Sequence, residues 1–127
     1  MELSVDFHFC ASHALPHLSE LAGRLHGHNY VLTVVVAGPV DPDTGVVVDF
    51  DGLDTAVQEE ILDRVDHRHL NEILATPTAE VMLAWFWQLL KPRVPELDAL
   101  HLQETHRYRA TYRGDEDIKV LLVEPSP

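Results

Sequence analysis

The chain has 127 residues, enough to bury one core and too few for two, so residues 1–127 are read as a single domain. Twenty-one acidic residues against nine basic ones give a formal charge of −12 with histidine neutral, which repels a phosphate backbone and argues against nucleic acid as a partner. Cys10 is the only cysteine, so no internal disulfide can form, and no stretch has the ~20 apolar residues of a membrane span or the pattern of a secretory leader; the expectation is a cytoplasmic protein with no membrane association.

Residues 2–10 alternate loosely, with Leu3, Val5, Phe7 and Phe9 on one face, and predict a strand. Cys10, at its end, reads as a small buried thiol. The β-branched run Asn29 to Ala37 predicts a second strand, followed by the turn formers of residues 38–45 and by Val46 to Phe50. A β-hairpin is expected there, with residues 2–10 as its third strand. Asp51 or Asp54 is expected to cap a helix running to about Val65, with Leu53, Val57, Ile61 and Leu62 at helical spacing. Thr78 is expected to cap a second helix through Met82, Phe86 and Leu90, ended by Pro92 and Pro95. Leu97 to Thr105, Tyr108 to Arg113 and Ile118 to Val123 complete the predicted strands. The order predicts an α+β protein with helices on one face of an antiparallel sheet. A second apolar face of the sheet, and its strand edges, would be buried by association with copies of the chain.

His26-Gly27-His28 lies just before the long strand, where side chains at i and i+2 leave an extended chain on the same side and can meet one ion. His13, which follows a predicted strand, is the third candidate ligand, completing the three-ligand set of a catalytic zinc site. Taken alone, the spacing also fits ordinary surface histidines, the reading given to His8, His17, His69, His101 and His106. Asn29 and Asp49 have the plain readings of a turn residue and a helix-start residue. Asp66-His67 is a candidate acid–base pair, because a neighbouring carboxylate fixes an imidazole's tautomer and basicity. Glu104, on a predicted strand, is either exposed or binds something, since a buried unpaired carboxylate is costly. Arg24, Arg68 and Arg107 remain available to a local anion pocket on this acidic chain.

Several segments, in order along the chain, resemble the 6-pyruvoyl-tetrahydropterin synthase and 6-carboxy-tetrahydropterin synthase family. They are Phe9 to His13, Leu25 to Tyr30, Gly45 to Phe50, Leu53, Asp66 to Asn71, Pro77 to Glu80, and Glu104-Thr105. The resemblance implies a tunnelling fold, a four-stranded antiparallel sheet with two helices on one face, assembled as a homohexamer of two trimers with pockets between subunits. It implies zinc (Zn2+) held by His13, His26 and His28, and a pterin ring anchored by Glu104, with Thr105 and Thr78 at the same substrate site. A carboxylate suits the anchor because it accepts two parallel hydrogen bonds. Asp66 and His67 are implied in proton transfer.

The family's reactions convert 7,8-dihydroneopterin triphosphate, and the chain looks most like the bacterial group whose carboxy product leads to 7-deazapurines such as queuosine. That group carries a catalytic cysteine four residues before His-Gly-His. Here the position is Ala22, and a methyl group removes no proton. Some family members place a glutamate in this region, which makes Glu20 the candidate substitute base. Three functions are open: the first is a zinc-dependent lyase on a dihydropterin with an altered base, and the second a paralogue that binds a pterin-like ligand without the usual reaction. A structural metal protein with no pterin site is the third.

Overall fold

A computed structural model gives the structure of residues 1–124. Strand β1 is Glu2–His13 and β2 is His26–Ala37, with the single helical turn α1, Glu20–Gly23, between them. The two strands pair antiparallel along their whole length, from Glu2 opposite Ala37 to His13 opposite His26. Both are three residues longer than the sequence predicts, because each supplies the other's hydrogen bonds up to the histidines. Asn29 is consequently a strand residue and not a turn residue.

The expected hairpin from β2 to residues 46–50 does not form. Strand β2 already has both edges occupied, by β1 on one side and by β4, Leu97–Thr105, on the other. The 41–46 loop instead closes on itself, with the Asp41 N–H donating to the Val46 carbonyl at 2.9 Å. Helix α2, Phe50–Val57, is capped by Asp49, whose carboxylate accepts from the Asp51 and Gly52 N–H groups, so the cap is neither Asp51 nor Asp54. A π-helical turn, Gln58–Leu62, interrupts the helix before α3, Asp63–Val65, and the Asp63 N–H reaches back to the Gln58 carbonyl. This widened turn keeps Ile61 and Leu62 both buried. Helix α4, Ala79–Leu90, starts at the expected Thr78 cap, where the hydroxyl accepts from Val81 N at 3.2 Å.

The sheet has five strands, one more than the resemblance implies, in the order β3 (Arg68–His69), β1, β2, β4 and β5 (Tyr108–Tyr112). The addition is β3, two residues parallel to the end of β1. Ile118 to Val123 is not a further strand: a lone bridge ties Leu122 to Leu74, with Ala75 N–H on the Leu121 carbonyl and Val123 N–H on that of Ile73. That segment is drawn to the loop before α4 and leaves β5 as the outer strand.

The helices cover one face of the sheet, burying Phe9, Tyr30, Leu32 and Leu102 against Ile61, Met82 and Phe86. The other face is not apolar, as expected, but mixed. Asp6, Thr33, His101 and Thr111 stand in register across it, joined in pairs by 2.6 Å bonds from Thr33 Oγ1 to Asp6 and between His101 Nδ1 and Thr111 Oγ1.

Candidate active site

The odd-numbered residues of β1 and the even-numbered residues of β2 face the helices, and at the far end of the β1–β2 ribbon this alternation puts His13, His26 and His28 together. Their candidate ligand nitrogens all lie within 4.8 Å of one another. Gly27 keeps the ribbon closed between the two β2 histidines, since a Cβ there would stand 3.3 Å from the Ala11 carbonyl oxygen.

Neighbouring carbonyls fix two of the rings. His13 Nδ1 donates to the Pro77 carbonyl at 2.9 Å and His26 Nδ1 to the Arg24 carbonyl at 2.7 Å. A carbonyl only accepts, so Nδ1 of each ring carries a proton and Nε2 is the nitrogen left to face an ion. His13 Nε2 and His28 Nε2 are 3.2 Å apart. Two nitrogens bound at 2.0–2.1 Å to one tetrahedral zinc stand roughly 3.3 Å apart, so the spacing fits that ion. Burial, then the neighbouring His13 and His26, lowers the His28 pKa to about 4. Burial also lowers that of His13, against the opposing effect of its Pro77 bond. Both are neutral at pH 7, the form a metal ligand requires.

Glu104, on β4, brings its carboxylate within 3.8 Å of His28 Nε2. Burial and then the charge of Glu80 push its pKa up, with His26 opposing. A cleft of about 290 Å³ opens beside it, bordered by Thr78, Glu80, Leu102, Tyr108 and Arg109. Thr78 thus serves both the helix cap and the cleft wall. Thr105 does not border that cleft; its hydroxyl accepts from the Arg107 N–H in the β4–β5 turn.

His67 borders a second and more open cleft, with Asp66 beside it in the chain. His67 adopts a left-handed backbone (φ 60°), the one non-glycine residue among those described to do so, and its N–H donates to the Cys10 carbonyl at 2.6 Å. The Asp66 carboxylate accepts from Cys10 N–H at 3.0 Å and lies 3.0 Å from His67 Nδ1. The two side chains are therefore in contact, with β1 holding both residues in place. The cleft, about 570 Å³, is lined by Cys10, His28, Asn29, His67, Arg68 and His69.

Cys10 is exposed, contrary to the buried thiol expected. The alternation that buries Phe9 and Ala11 turns Cys10 to the opposite face, where its thiol donates to Asn29 Oδ1 at 2.8 Å. Glu20 borders neither cleft; it is exposed on α1, 3.5 Å from Arg24. Ala22 lies on the same turn. Two residues that the sequence reading gave no role shape the site. Asn71 clamps the residue after His13, accepting from Ala14 N–H and donating to its carbonyl, both at 2.8 Å. Tyr30 lies fully buried beneath the histidines. Both fall within quoted motifs, the only signal the sequence gives for them.

A family model described as 6-pyruvoyl tetrahydropterin synthase matches residues 2–115. A 6-carboxy-5,6,7,8-tetrahydropterin synthase from Synechocystis is 35% identical over 114 residues, covering 84% of this chain and 88% of that protein. A 6-pyruvoyl tetrahydrobiopterin synthase from Drosophila melanogaster is 34% identical over 99 residues, covering 70% of this chain and 58% of that protein. The structure of Caenorhabditis elegans 6-pyruvoyl tetrahydropterin synthase superposes with a TM-score of 0.80 at 28% identity, covering 91% of this chain and 96% of that one. Fold and sequence agree, and the chain is a member of the 6-pyruvoyl tetrahydropterin synthase family, a family of pterin lyases.

Proposed function

We propose that this protein binds one zinc ion through His13, His26 and His28 and acts as a lyase on a dihydropterin, 7,8-dihydroneopterin triphosphate or a related compound. The observation that carries the reading is the convergence of three imidazole nitrogens within 4.8 Å, with the Glu104 carboxylate 3.8 Å from one of them at the edge of a cleft. Bound zinc supplies a Lewis acid for oxygens on the ligand's side chain. Glu104 accepts two hydrogen bonds from the pterin ring, with Thr78 in the wall of its cleft; Thr105, which stands outside that cleft, takes part only if its hydroxyl leaves the Arg107 N–H. His67, oriented by Asp66, holds or moves a proton.

Glu20 takes the part of the cysteine absent at Ala22. It stands exposed on α1, and that role requires a neighbouring subunit to enclose it. The proposed assembly is a homohexamer of two trimers, in the cytoplasm, with the family's queuosine-related branch as its setting. The free outer strands β3 and β5 support association.

Ala22 favours a second reading, in which the protein binds a pterin-like ligand and does not perform the usual reaction. One experiment separates the two: incubation with 7,8-dihydroneopterin triphosphate and zinc, with products identified by mass, for wild type, Ala22→Cys and Glu20→Ala. Turnover by wild type that stops on chelation and is lost in Glu20→Ala supports the lyase. Binding without product, with activity gained in Ala22→Cys, supports the paralogue. Absence of both binding and turnover would remove the pterin assignment.

A further inference from the structure

Of Arg24, Arg68 and Arg107, the three arginines available to an anion pocket, the structure sets one against a cleft. Arg24 pairs with Glu20, Arg107 lies over the Tyr108 ring at 5.5 Å from its centroid, and neither borders the two clefts described above. Arg68 is exposed on β3 and lines the cleft of about 570 Å³ beside Cys10. It forms no ion pair among the described residues. A neighbouring cleft of about 340 Å³, which Arg68 also borders, has Asp63 and Glu72 in its walls, and neither carboxylate pairs with it.

The other polar groups around Arg68 have donors to spare. Asn29 Oδ1 accepts from the Cys10 thiol, and its Nδ2 amide, with no bond among the described residues, is left to donate. Ser12 Oγ and His69 Nδ1 are 3.0 Å apart. A hydroxyl and a neutral imidazole hold two such hydrogens and their bond uses one, so in either tautomer the pair keeps a donor, His69 Nε2–H or Ser12 O–H. No carboxylate lines the cleft, on a chain with 21 acidic residues. Asp66, the nearest along the chain, is engaged by Cys10 N–H and His67 Nδ1. A guanidinium fork with neutral donors and no competing carboxylate is the chemistry that binds an oxyanion. Ser12 on β1, Asn29 on β2 and Arg68 on β3 approach from different strands, which suits the tetrahedral oxygens of a phosphate better than a planar carboxylate. We infer that this cleft binds a phosphate or polyphosphate group, free or carried as an ester, with Arg68 as its charged partner and Asn29 and the Ser12–His69 pair as neutral donors. Cys10 and Asn29 point away from the helices, whereas α4 helps to wall the Glu104 cleft, so the two are separate sites and the anion needs neither zinc nor a bound pterin.

The test titrates inorganic tripolyphosphate into full-length wild type, Arg68→Gln, Asn29→Asp and Arg107→Gln by calorimetry, at about 0.15 M salt and equal zinc content. Chelation of zinc by the probe is common to all four proteins, so differences between them report the cleft. Wild type is expected to bind against the repulsion of a chain of charge −12, and Arg68→Gln to bind about 10- to 100-fold more weakly. Asn29→Asp keeps the acceptor for the Cys10 thiol, replaces the amide donor by a carboxylate oxygen, and should lose at least as much. Arg107→Gln should match wild type. The same titration with 7,8-dihydroneopterin triphosphate and with 7,8-dihydroneopterin identifies the source. A loss in Arg68→Gln for the phosphorylated compound and not the other marks an esterified tail, and a loss for tripolyphosphate alone marks a free anion. No binding by wild type, equal affinities in wild type and Arg68→Gln, or an equal loss in Arg107→Gln would each overturn the inference. Each would leave the Glu104 site standing, because the probe contains no pterin.

Discussion

Replacing Glu104 by glutamine tests the site through two opposite effects. Its carboxylate is 23% exposed and 3.8 Å from the nearest imidazole nitrogen, His28 Nε2, so both oxygens are free to accept from a ligand. Glutamine keeps the shape but offers one acceptor, and turns an N–H2 toward the second ligand donor. The loss of one hydrogen bond to a charged group is worth about 1.5–3 kcal/mol, or roughly a 10- to 150-fold weaker pterin complex by calorimetry. Stability without ligand moves the other way. Burial raises the Glu104 pKa above its unfolded value, so the folded chain binds the proton more readily and the ionised group opposes folding at neutral pH. Glu104→Gln is therefore expected to be more stable than wild type in urea at pH 7, with the gain shrinking as the pH falls through the raised pKa. Unchanged pterin affinity would refute the anchoring role, and a variant less stable at pH 7 would refute the electrostatic argument.

Purified protein should take up about one zinc per chain, and His26→Ala/His28→Ala should take up none by metal analysis; unchanged content would end the metal assignment. In the metal-free protein the depressed His28 pKa has the opposite sign from Glu104: the unfolded chain takes the proton first, near pH 6.5, and stability falls as the pH drops toward 4. Linkage gives a loss of about 2 kcal/mol between pH 7 and 5, which urea unfolding should show in wild type and not in His28→Asn; equal slopes would contradict it. Thr78→Ala should cost about 1 kcal/mol of stability from the lost cap of α4, and a variant as stable as wild type would show that the hydroxyl is not needed there. Light scattering should report a hexamer, whereas a stable monomer at micromolar concentration would count against the assembly.

The sequence made β2 legible through its β-branched run, and α4 through a hydroxyl cap before an apolar periodicity, because both signals are local. The hairpin failed because strand partners are decided by competition. Val46 to Phe50 has strand character, but β1 and β4 had taken both edges of β2. Ile118 to Val123 met a similar fate, paired by a single bridge to Leu74 in preference to β5. The orientation of Cys10 was within reach, since the alternation that buries Phe9 already turns its neighbour outward. At the site, i and i+2 spacing was enough to group His26 with His28, and His13 required only that β1 lie beside β2. What spacing cannot convey is the left-handed turn at His67 or the carbonyls that fix the His13 and His26 rings, which depend on loops meeting from distant parts of the chain.

The bond from His13 Nδ1 to Pro77 joins two things that the sequence keeps 64 residues apart. Pro77 immediately precedes the Thr78 cap, and Thr78 and Glu80 form part of the wall facing Glu104. An ion that fixes the His13 ring thereby also steadies the rim of the ligand cleft, and a ligand that steadies the rim helps to hold the ring for the ion. Under the proposed function the two affinities rise by the same factor, because coupling between two binding equilibria is reciprocal. The pterin then guards the metal that serves it: a chelator should strip zinc less readily from protein whose cleft is full.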